Sequence, residues 1–329
     1  MKRCLYLLDS NSSIGYGHAS RCSVLVDESL KFGWENLLLT KSLDSLPSNF
    51  TSQFNQIIQN KSESVLEDIN DCIKKYKIST VILDSYIIDY KTLKNKISKN
   101  VSIYRFSGEP DLSDHSSRII NYNPNFDKIE CSQHLLGTKY SLINERFKNL
   151  IKHPGNEVSV FFGGGGDYGL IYKFKGYFEF LEQQGIHINI FITGSYLDKE
   201  GIKQQFLDKK NISVYLDDPN FPKKLNNSKF SIVSGGTITY ESIFLSVPMQ
   251  IISVAENQVK QSQAWHSLGC ADYLGNHSDL NSENLISSYW NKFSSETKII
   301  EMVKHQEGLV DGEGANRIVK FIESDYVAF

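Results

Sequence analysis

The fold of this chain is decided near its start, by the stretch Leu5-Tyr-Leu-Leu8-Asp9-Ser-Asn-Ser-Ser-Ile-Gly15-Tyr-Gly17-His18-Ala-Ser-Arg21-Cys22. The apolar run at residues 5–8 predicts a buried β-strand, and residues 23–30, directly after the stretch, predict a helix. A strand, a glycine-bearing turn and a helix make the first βα unit of an open α/β sheet. Ligands bind at the carboxyl ends of the strands in such sheets, so we expect this turn to face a ligand. His18 is the one imidazole in the turn.

The alternation of apolar strands and helical segments continues along the chain and then restarts after residue 152. In the first half, the sequence predicts strands at 36–40, 79–84, 101–105 and 118–122, and helices at 65–76 and 90–99. In the second half, it predicts strands at 158–162, 188–193, 212–216, 230–234 and 249–254, and a terminal helix at 315–324. This pattern predicts an α/β protein of two Rossmann-like domains, residues 1–152 and 153–329, each with an open parallel sheet. We expect the two domains to face a cleft, with the last helix free to pack back on the first domain.

Composition and charge exclude several classes of protein. The 329 residues carry a formal charge of −3, which gives no electrostatic basis for binding nucleic acid or an anionic membrane. The five cysteines are scattered without a Cys-x-x-Cys pair, which argues against zinc, an iron–sulfur cluster and a disulfide scaffold. No apolar run approaches the roughly 18 residues of a membrane span. We therefore expect a cytoplasmic protein without an integral membrane segment.

Four consecutive glycines follow the first strand of the second domain. Gly164-Gly165-Gly166-Asp-Tyr-Gly169 fits G-x-G-x-x-G, but the next strand ends without the acid that a dinucleotide ribose requires. The sequence has no P-loop and no metal-ligating cluster, so we expect no cofactor and no metal. The glycines serve either a tight turn or close approach of the backbone to a ligand. We favour a ligand for Gly164 and Gly165, because four glycines exceed what a turn requires.

A second motif, Ser234-Gly235-Gly236-Thr237-Ile-Thr239-Tyr-Glu241, joins a predicted buried strand to a helix. Free amides and the positive end of the dipole at a helix start suit a phosphate or diphosphate. Glu241 has two interpretations of equal weight: a carboxylate that accepts two ribose hydroxyls, or an acid that favours a helix start. Further along, Asn257 and Gln258 offer amides for a base or a sugar, although a polar helix start explains them too.

His18 is the candidate base. An imidazole with a pKa near neutrality takes a proton from water or a hydroxyl. A single base of this kind suits an inverting displacement, in which the leaving group is a nucleoside diphosphate whose charge is already stabilised near Gly235. Arg21, about one helical turn later, either steadies the loop or meets a phosphate.

Taken together, these motifs resemble the nucleotide-sugar hydrolases of pseudaminic acid biosynthesis, which act on UDP-2,4-diacetamido-2,4,6-trideoxy-β-L-altropyranose, and the related spore-coat polysaccharide proteins. The resemblance rests on Asp9-Ser-x-x-x-Ile-Gly15-x-Gly17-His18-x-x-Arg21, on Val81-Ile-Leu-Asp84-Ser-Tyr86, on residues 137–147, and on the segments around Asn257 and Asp311. The family is similar to GT-B glycosyltransferases, especially the lipid-II-forming N-acetylglucosaminyltransferase. In that enzyme a Ser-Gly-Ala-x-x-x-x-Glu segment binds the ribose, and Ser234 to Glu241 has the same spacing.

The resemblance implies a GT-B-like fold in which a UDP-sugar binds with its UDP on the second domain. It implies that His18 activates water for attack at the anomeric carbon, with Asp84 and Tyr86 as further catalytic residues. The remaining expected contacts with the sugar and UDP are Gly15, Gly17, Arg21, Gly164, Gly165, Gly235, Gly236, Thr237, Thr239, Glu241, Asn257 and Gln258.

The chain departs from the family pattern at three places in the first domain. Ser85 stands where the family usually has histidine, Ser107-Gly108 replaces a paired Asp-Asp, and Asn144 replaces an arginine. The leading interpretation is an inverting UDP-sugar hydrolase. The alternatives are an inverting glycosyltransferase with an unknown acceptor and a nucleotide-sugar-binding protein without catalysis.

Overall fold

A computed structural model describes residues 2–9, 16–41, 43, 46, 48–60, 64–108, 111–113, 117–153 and 155–327. Contacts divide the chain into two compact units. Unit 1 consists of Met1–Asn144 and Glu313–Phe329, and unit 2 consists of Glu145–Gly312. The chain thus enters unit 2 at Glu145, before the predicted domain boundary between residues 152 and 153.

Unit 1 is built on a parallel sheet. Its strands are β1 (Arg3–Leu8), β2 (Glu35–Thr40), β3 (Gln56–Gln59), β4 (Thr80–Asp84), β5 (Ser102–Phe106), β6 (Arg118–Asn121) and β7 (Leu135–Leu136), and its helices before residue 144 are α1 (Gly17–Lys31), α2 (Ser48–Thr51), α3 (Val65–Tyr76) and α4 (Tyr90–Lys96). Within the described residues the sheet has seven strands in the order β3-β2-β1-β4-β5-β6-β7. The order reverses between β1 and β4, which is where open α/β sheets hold their ligands.

The two strands at the switch point of this sheet are buried. All five residues of β4 are buried, and β1 is buried over its four central residues. These two strands pair in parallel with Leu8 opposite Asp84, so the loops that follow them emerge side by side. The register alone brings the segment that contains His18 next to the one that contains Tyr86.

Unit 2 has the same plan. Its strands are β8 (Glu157–Phe161), β9 (His187–Ile192), β10 (Ile212–Leu216), β11 (Phe230–Ser234), β12 (Met249–Ser253) and β13 (Ala271–Asn276), and its helices are α5 (Leu170–Lys173), α6 (Lys175–Gln183), α7 (Lys199–Gln205), α8 (Phe221–Asn227), α9 (Ile238–Phe244), α10 (Val259–Ser267), α11 (Ser282–Ser288) and α12 (Glu296–Gln306). Over the described ranges its sheet is six-stranded and parallel, in the order β10-β9-β8-β11-β12-β13. Here the order reverses between β8 and β11, which places their following loops at the candidate ligand edge.

The last helix, α13 (Gly314–Val327), belongs to unit 1. Its residues Ile318, Val319 and Ile322 are 0%, 1% and 2% exposed. Lys2 Nζ donates to the Ile322 carbonyl at 2.8 Å, and the Asp325 carboxylate accepts from Tyr104 Oη at 2.6 Å. The helix therefore completes the core of a unit whose other elements lie far away in sequence.

No helix in the described part of the chain is both long and apolar enough to cross a bilayer. The same residues contain no group of three or more His, Cys, Asp and Glu side chains arranged to hold a metal ion.

Candidate functional site

Two charged side chains meet at the switch point of unit 1. Asp84, the last residue of β4, is 2% exposed, and the Arg21 guanidinium on α1 donates to both of its carboxylate oxygens through Nε and Nη2. The Arg21 Cζ atom also lies 4.8 Å from the centre of the Phe106 ring. A two-pronged pair of this kind has a fixed geometry, so it holds α1 against the end of β4. These contacts favour the interpretation in which Arg21 steadies the loop.

His18 lies in the first turn of α1 and is 6% exposed. Its Nδ1 atom is 3.7 Å from Asp84 Oδ1, too far for a hydrogen bond, and has no hydrogen-bond partner among the described residues. Burial lowers the pKa of the His18 imidazole; Arg21 acts in the same direction, and the carboxylates of Asp84 and Asp9 oppose it. The imidazole is therefore neutral at neutral pH, which is the form that accepts a proton.

Tyr86 covers His18. The two rings have centroids 4.8 Å apart at an interplanar angle of 54°, and the tyrosine is 66% exposed. The structure therefore brings together the three residues that the sequence nominated as catalytic: His18, Asp84 and Tyr86. Gly17 is the first residue of α1, while Gly15 lies outside the described residues.

The loop that carries Tyr86 is tied to the end of β1. The Asp9 carboxylate accepts from Ser85 Oγ at 2.8 Å and from the Tyr86 amide at 2.6 Å. Ser85 Oγ in turn accepts from the amides of Ile87 and Ile88 at 3.0 and 2.9 Å. Sequence reasoning gave Asp9 no role; the available signal was its place directly after a buried strand.

In unit 2, the four glycines after β8 differ in whether their backbone conformation requires glycine. Gly163 and Gly166 have φ angles of 116° and 126°, so the turn itself requires glycine there. The Gly164 carbonyl accepts from Thr193 Oγ1 at 3.0 Å and from the Ser195 hydroxyl. The outer glycines are thus explained by backbone geometry, whereas Gly164 and Gly165 have no positive φ.

The two glycines in the turn after β11 differ in how much space surrounds them. A methyl group at Gly235 would collide with Ser262 Oγ and lie 3.0 Å from Gln258 Cβ, so close packing requires glycine. A methyl group at Gly236 would meet its nearest atoms, Ser234 Oγ and Gln258 Nε2, at 3.8 and 3.9 Å. The protein itself therefore leaves room for a side chain at Gly236.

A glutamine that the sequence analysis did not single out holds this turn in place. Gln261 Nε2, from α10, donates to the carbonyls of Gly235 and Gly236 at 3.1 and 3.2 Å and to Thr239 Oγ1 at 2.8 Å. Thr239 is 0% exposed, and its hydroxyl donates to the Gly236 carbonyl at 2.8 Å. These contacts give Thr239 a supporting place beneath the turn.

Glu241 is buried in α9 at 8% exposure. Burial raises the pKa of its carboxyl to about 7, against the opposing charge of Arg146. No hydrogen bond to this carboxylate is found in the described ranges, so its oxygens are left for another partner. A buried acid without hydrogen bonds destabilises a fold, which makes a purely structural reason for Glu241 hard to find.

The other nominated residues of unit 2 lie around the same turn. Thr237 is half-buried directly before α9, and Asn257 is exposed. Gln258 is half-buried, and its Oε1 accepts from the Val254 amide at 3.0 Å, which leaves Nε2 on the side of Gly236. Gln258 thus brings the loop after β12 next to the turn after β11.

Comparison with known proteins finds similarity in sequence to a nucleotide-sugar hydrolase. The UDP-2,4-diacetamido-2,4,6-trideoxy-beta-L-altropyranose hydrolase of Campylobacter jejuni is 27% identical over 270 residues, which cover 78% of this chain and 93% of that protein. No family model matches the chain.

Solved structures show the fold. MurG of Acinetobacter baumannii superimposes with a TM-score of 0.70 at 13% identity, over 98% of this chain and 100% of that one. A UDP-GlcNAc 2-epimerase from Neisseria meningitidis, solved with UDP-GlcNAc bound, gives a TM-score of 0.68 at 11% identity, again over 98% and 100%. The chain therefore has a GT-B-like fold of two parallel-sheet α/β domains, as the sequence predicted, and it resembles in sequence a nucleotide-sugar hydrolase.

Proposed function

We propose that this protein hydrolyses a UDP-linked deoxy-acetamido sugar, with inversion at the anomeric carbon, to UDP and the free sugar. The pathway we propose is the synthesis of a nonulosonic, pseudaminic-type acid or of a surface polysaccharide. The observation that carries the proposal is the buried, neutral His18 beside Asp84. The similarity to a hydrolase of a UDP-diacetamido sugar supports it.

In the proposed reaction, His18 removes a proton from water as the water oxygen attacks the anomeric carbon. The bond between that carbon and the diphosphate oxygen breaks, and UDP leaves with the electron pair. Because Nδ1 faces Asp84, we assign Nε2 as the atom that accepts the proton from water. The Asp84 carboxylate, 3.7 Å from Nδ1, then stabilises the imidazolium. Asp84 acts here through its charge, since Arg21 already occupies both of its oxygens.

In this proposal, unit 2 binds the ribose and the diphosphate of the substrate. Glu241 accepts the ribose hydroxyls, and the Gly236-Thr237 turn lies against the diphosphate. Gly164, Gly165, Asn257 and Gln258 complete the contacts with the nucleotide sugar. The unbonded carboxylate of Glu241 and the space at Gly236 are the features of unit 2 that support this assignment.

A glycosyltransferase is the second candidate, and the similarity of the fold to MurG favours it. In that case His18 deprotonates an acceptor hydroxyl instead of water. A protein that binds nucleotide sugars without catalysis is the third candidate, and it predicts binding of UDP without turnover.

The test is a screen of UDP-sugars, with and without candidate acceptors, read by release of UDP. We expect the wild-type protein to release UDP without an acceptor, and His18→Ala to lose this activity while UDP still binds in a calorimetric titration. His153→Ala, which removes an exposed imidazole of unit 2, is the matched control and should behave as wild type. Release only in the presence of an acceptor would establish a transferase, and binding without any release would leave only the third candidate.

A further inference from the structure

Gln261 contacts the turn after β11 from α10, and both polar atoms of its side chain are hydrogen-bonded. Its Nε2 donates to the carbonyls of Gly235 and Gly236 at 3.1 and 3.2 Å. Its Oε1 accepts from the Tyr240 hydroxyl at 3.0 Å. The opposite orientation of the side-chain amide would set its oxygen against two carbonyl oxygens, so the turn itself fixes which atom faces it. Both carbonyls therefore point toward α10.

The direction of these carbonyls decides the direction of two backbone amides. In a trans peptide, the C=O group and the following N–H group point to opposite sides of the chain. The described residues contain no cis peptide bond, so the amides of Gly236 and Thr237 point away from Gln261. Among the described residues, neither amide has a hydrogen-bond acceptor. The turn thus presents two consecutive donors on the side opposite to Gln261.

The Thr239 hydroxyl belongs to the same support. It donates to the Gly236 carbonyl at 2.8 Å, and it accepts from Gln261 Nε2 at 2.8 Å and from Trp265 Nε1 at 3.2 Å. A hydroxyl has one hydrogen to donate and two acceptor positions, and all three are used here. Thr239 therefore supports the carbonyl side of the turn, and the amide side is the one that is open to a ligand.

The glycine loop after β8 is built in the same way. The Gly164 carbonyl accepts from Thr193 Oγ1 at 3.0 Å and from the Ser195 hydroxyl. The Gly165 amide, across the same peptide bond, has no acceptor in the ranges that the structure describes. Strands β8 and β11 are neighbours in the sheet, so the two loops emerge next to each other. In two adjacent loops, side chains thus bind the carbonyls and leave the opposing amides available.

We propose that Gln261 is a positioning residue for the leaving group, which holds two carbonyls of the turn on the side of α10 and so directs the amides of Gly236 and Thr237 at the diphosphate of the substrate. Without this contact, the carbonyls would be free to rotate toward the diphosphate, where their partial negative charge would repel the phosphate oxygens. The assignment to a diphosphate rests on the proposed function, whereas the direction of the amides rests on the contacts of Gln261.

The test compares Gln261→Met, which has a side chain of similar length without a donor, with Gln263→Met as the matched control. Gln263 also lies on α10, but it is exposed. Glycine labelled with ¹³C at the carbonyl and threonine labelled with ¹⁵N make the Thr237 amide directly observable by NMR. The chain has only two Gly-Thr pairs, so the other signal, from Thr138 of unit 1, is an internal reference. UDP is the titrant.

We expect the Thr237 signal of Gln261→Met to shift in the free protein, because the amide changes its direction, while the Thr138 signal stays in place. The dissociation constant for UDP should rise by about 10- to 100-fold, since hydrogen bonds to a charged group are weakened. Gln263→Met should match the wild type in both measurements. A variant that was only less stable would keep the Thr237 signal of the folded protein where it is in the wild type.

A second variant, Gln261→Glu, tests the contact through pH and serves if Gln261→Met does not fold. An ionised carboxylate cannot donate to the two carbonyls, whereas a protonated carboxyl has one hydrogen to donate. We therefore expect its UDP affinity, relative to the wild type at the same pH, to be lowest at about pH 8 and to recover toward about pH 5. The wild-type reference cancels the titration of Glu241 and of UDP itself. Gln263→Glu should show no such recovery.

An unshifted Thr237 signal in free Gln261→Met would overturn the proposal, as would an unchanged UDP affinity in both Gln261 variants or an equal loss in the Gln263 controls. If the wild type binds UDP but releases none from any UDP-sugar, the proposed hydrolysis fails, while weaker binding in Gln261→Met still supports the positioning. A wild-type protein that binds no UDP would refute the assignment to a diphosphate.

Discussion

Burial keeps the His18 imidazole neutral, and the Tyr86 ring packs on it. Its buried Nδ1 has no hydrogen-bond partner in the part of the chain that the structure describes, and the nearby Asp84 is committed to Arg21. A histidine base is often oriented by a hydrogen bond from its second nitrogen to a carboxylate. Here the Asp84 carboxylate is 3.7 Å from Nδ1, beyond hydrogen-bond distance.

Glu241 gives a prediction that separates function from stability. Its carboxyl has a pKa of about 7 in the folded protein against 4.5 as the ordinary value. A raised pKa means that the folded state favours the neutral acid, so its stability is fully present below about pH 4.5 and is lost as the pH rises through 7. We expect Glu241→Gln to be more stable than wild type by up to about 3 kcal/mol at pH 8, and nearly equal at pH 4.5.

Urea unfolding of unit 2 at the two pH values measures this difference, with Glu256→Gln as the control because Glu256 is exposed. The same variant should bind UDP more weakly, by about 1–3 kcal/mol, since hydrogen bonds to a charged group are lost. A stability change of equal size at both pH values would contradict the assigned ionisation. Unchanged UDP binding would remove Glu241 from the nucleotide site.

At the scale of elements, the β11–α9 turn contains two glycines with different roles. Packing requires Gly235, whereas the packing of the protein does not require Gly236. A methyl group at Gly235 collides with Ser262 Oγ, whereas one at Gly236 finds its nearest atoms at 3.8 and 3.9 Å. We therefore expect Gly235→Ala to lower the melting temperature clearly and Gly236→Ala to change it little. If the turn lies against a diphosphate, Gly236→Ala should still weaken UDP binding by about tenfold or more, because a close backbone approach is blocked.

Thermal unfolding and a UDP titration of both variants provide the measurement. Ser262→Ala should restore part of the stability lost in Gly235→Ala, since it removes the colliding oxygen. Full UDP affinity in Gly236→Ala would show that no ligand approaches this glycine.

The elements differ in how well the sequence predicted them, and their residue content is the reason. Strands β10 and β11 and helix α3 match their predicted bounds, because β-branched and aromatic residues or a strong helical periodicity define them. Strand β3 was not predicted, because both of its end residues are exposed glutamines and only two apolar residues mark it. Strand β13 was missed for a related reason, because only Tyr273 and Leu274 form an apolar pair, between Asp272 and Gly275.

The candidate residues of the site came from two sources. Residue type and position after a strand nominated His18 and Glu241, and the resemblance to the hydrolase family nominated Asp84. Gln261 and Asp9 escaped, because their importance lies in which backbone groups they contact. Pairings across separate elements, such as Gln261 with the Gly235 carbonyl, have no local signature in a single sequence.

At the scale of the whole molecule, unit 1 depends on a helix that follows all of unit 2 in sequence. Without α13, the apolar residues that pack on Ile318, Val319 and Ile322 would be exposed, and the Asp325 contacts with Tyr104 and Arg118 would be lost. We expect a chain that ends at Gly312 to lose amide protection throughout unit 1 while unit 2 keeps its own. Hydrogen exchange followed by mass spectrometry measures both units in one experiment.

A milder variant keeps this prediction testable if the shortened chain does not accumulate. Asp325→Asn should destabilise unit 1 by about 1–2 kcal/mol, because it weakens a hydrogen bond between charged groups. Ser324→Ala is the control, since this exposed hydroxyl contacts only its own helix. Equal loss of protection in both units would show that they do not unfold separately.

The position of α13 also fixes an order of events at the ribosome. Domains usually mature from the N-terminal end as the chain emerges. Here the residues up to Asn144 leave the exit tunnel first but lack the helix whose Ile318, Val319 and Ile322 complete their core. All of Glu145–Gly312 is translated before that helix appears, so the second unit has its complete sequence while the first still waits. For that interval, the half-finished first unit exposes an apolar face on which a chaperone would be expected to act.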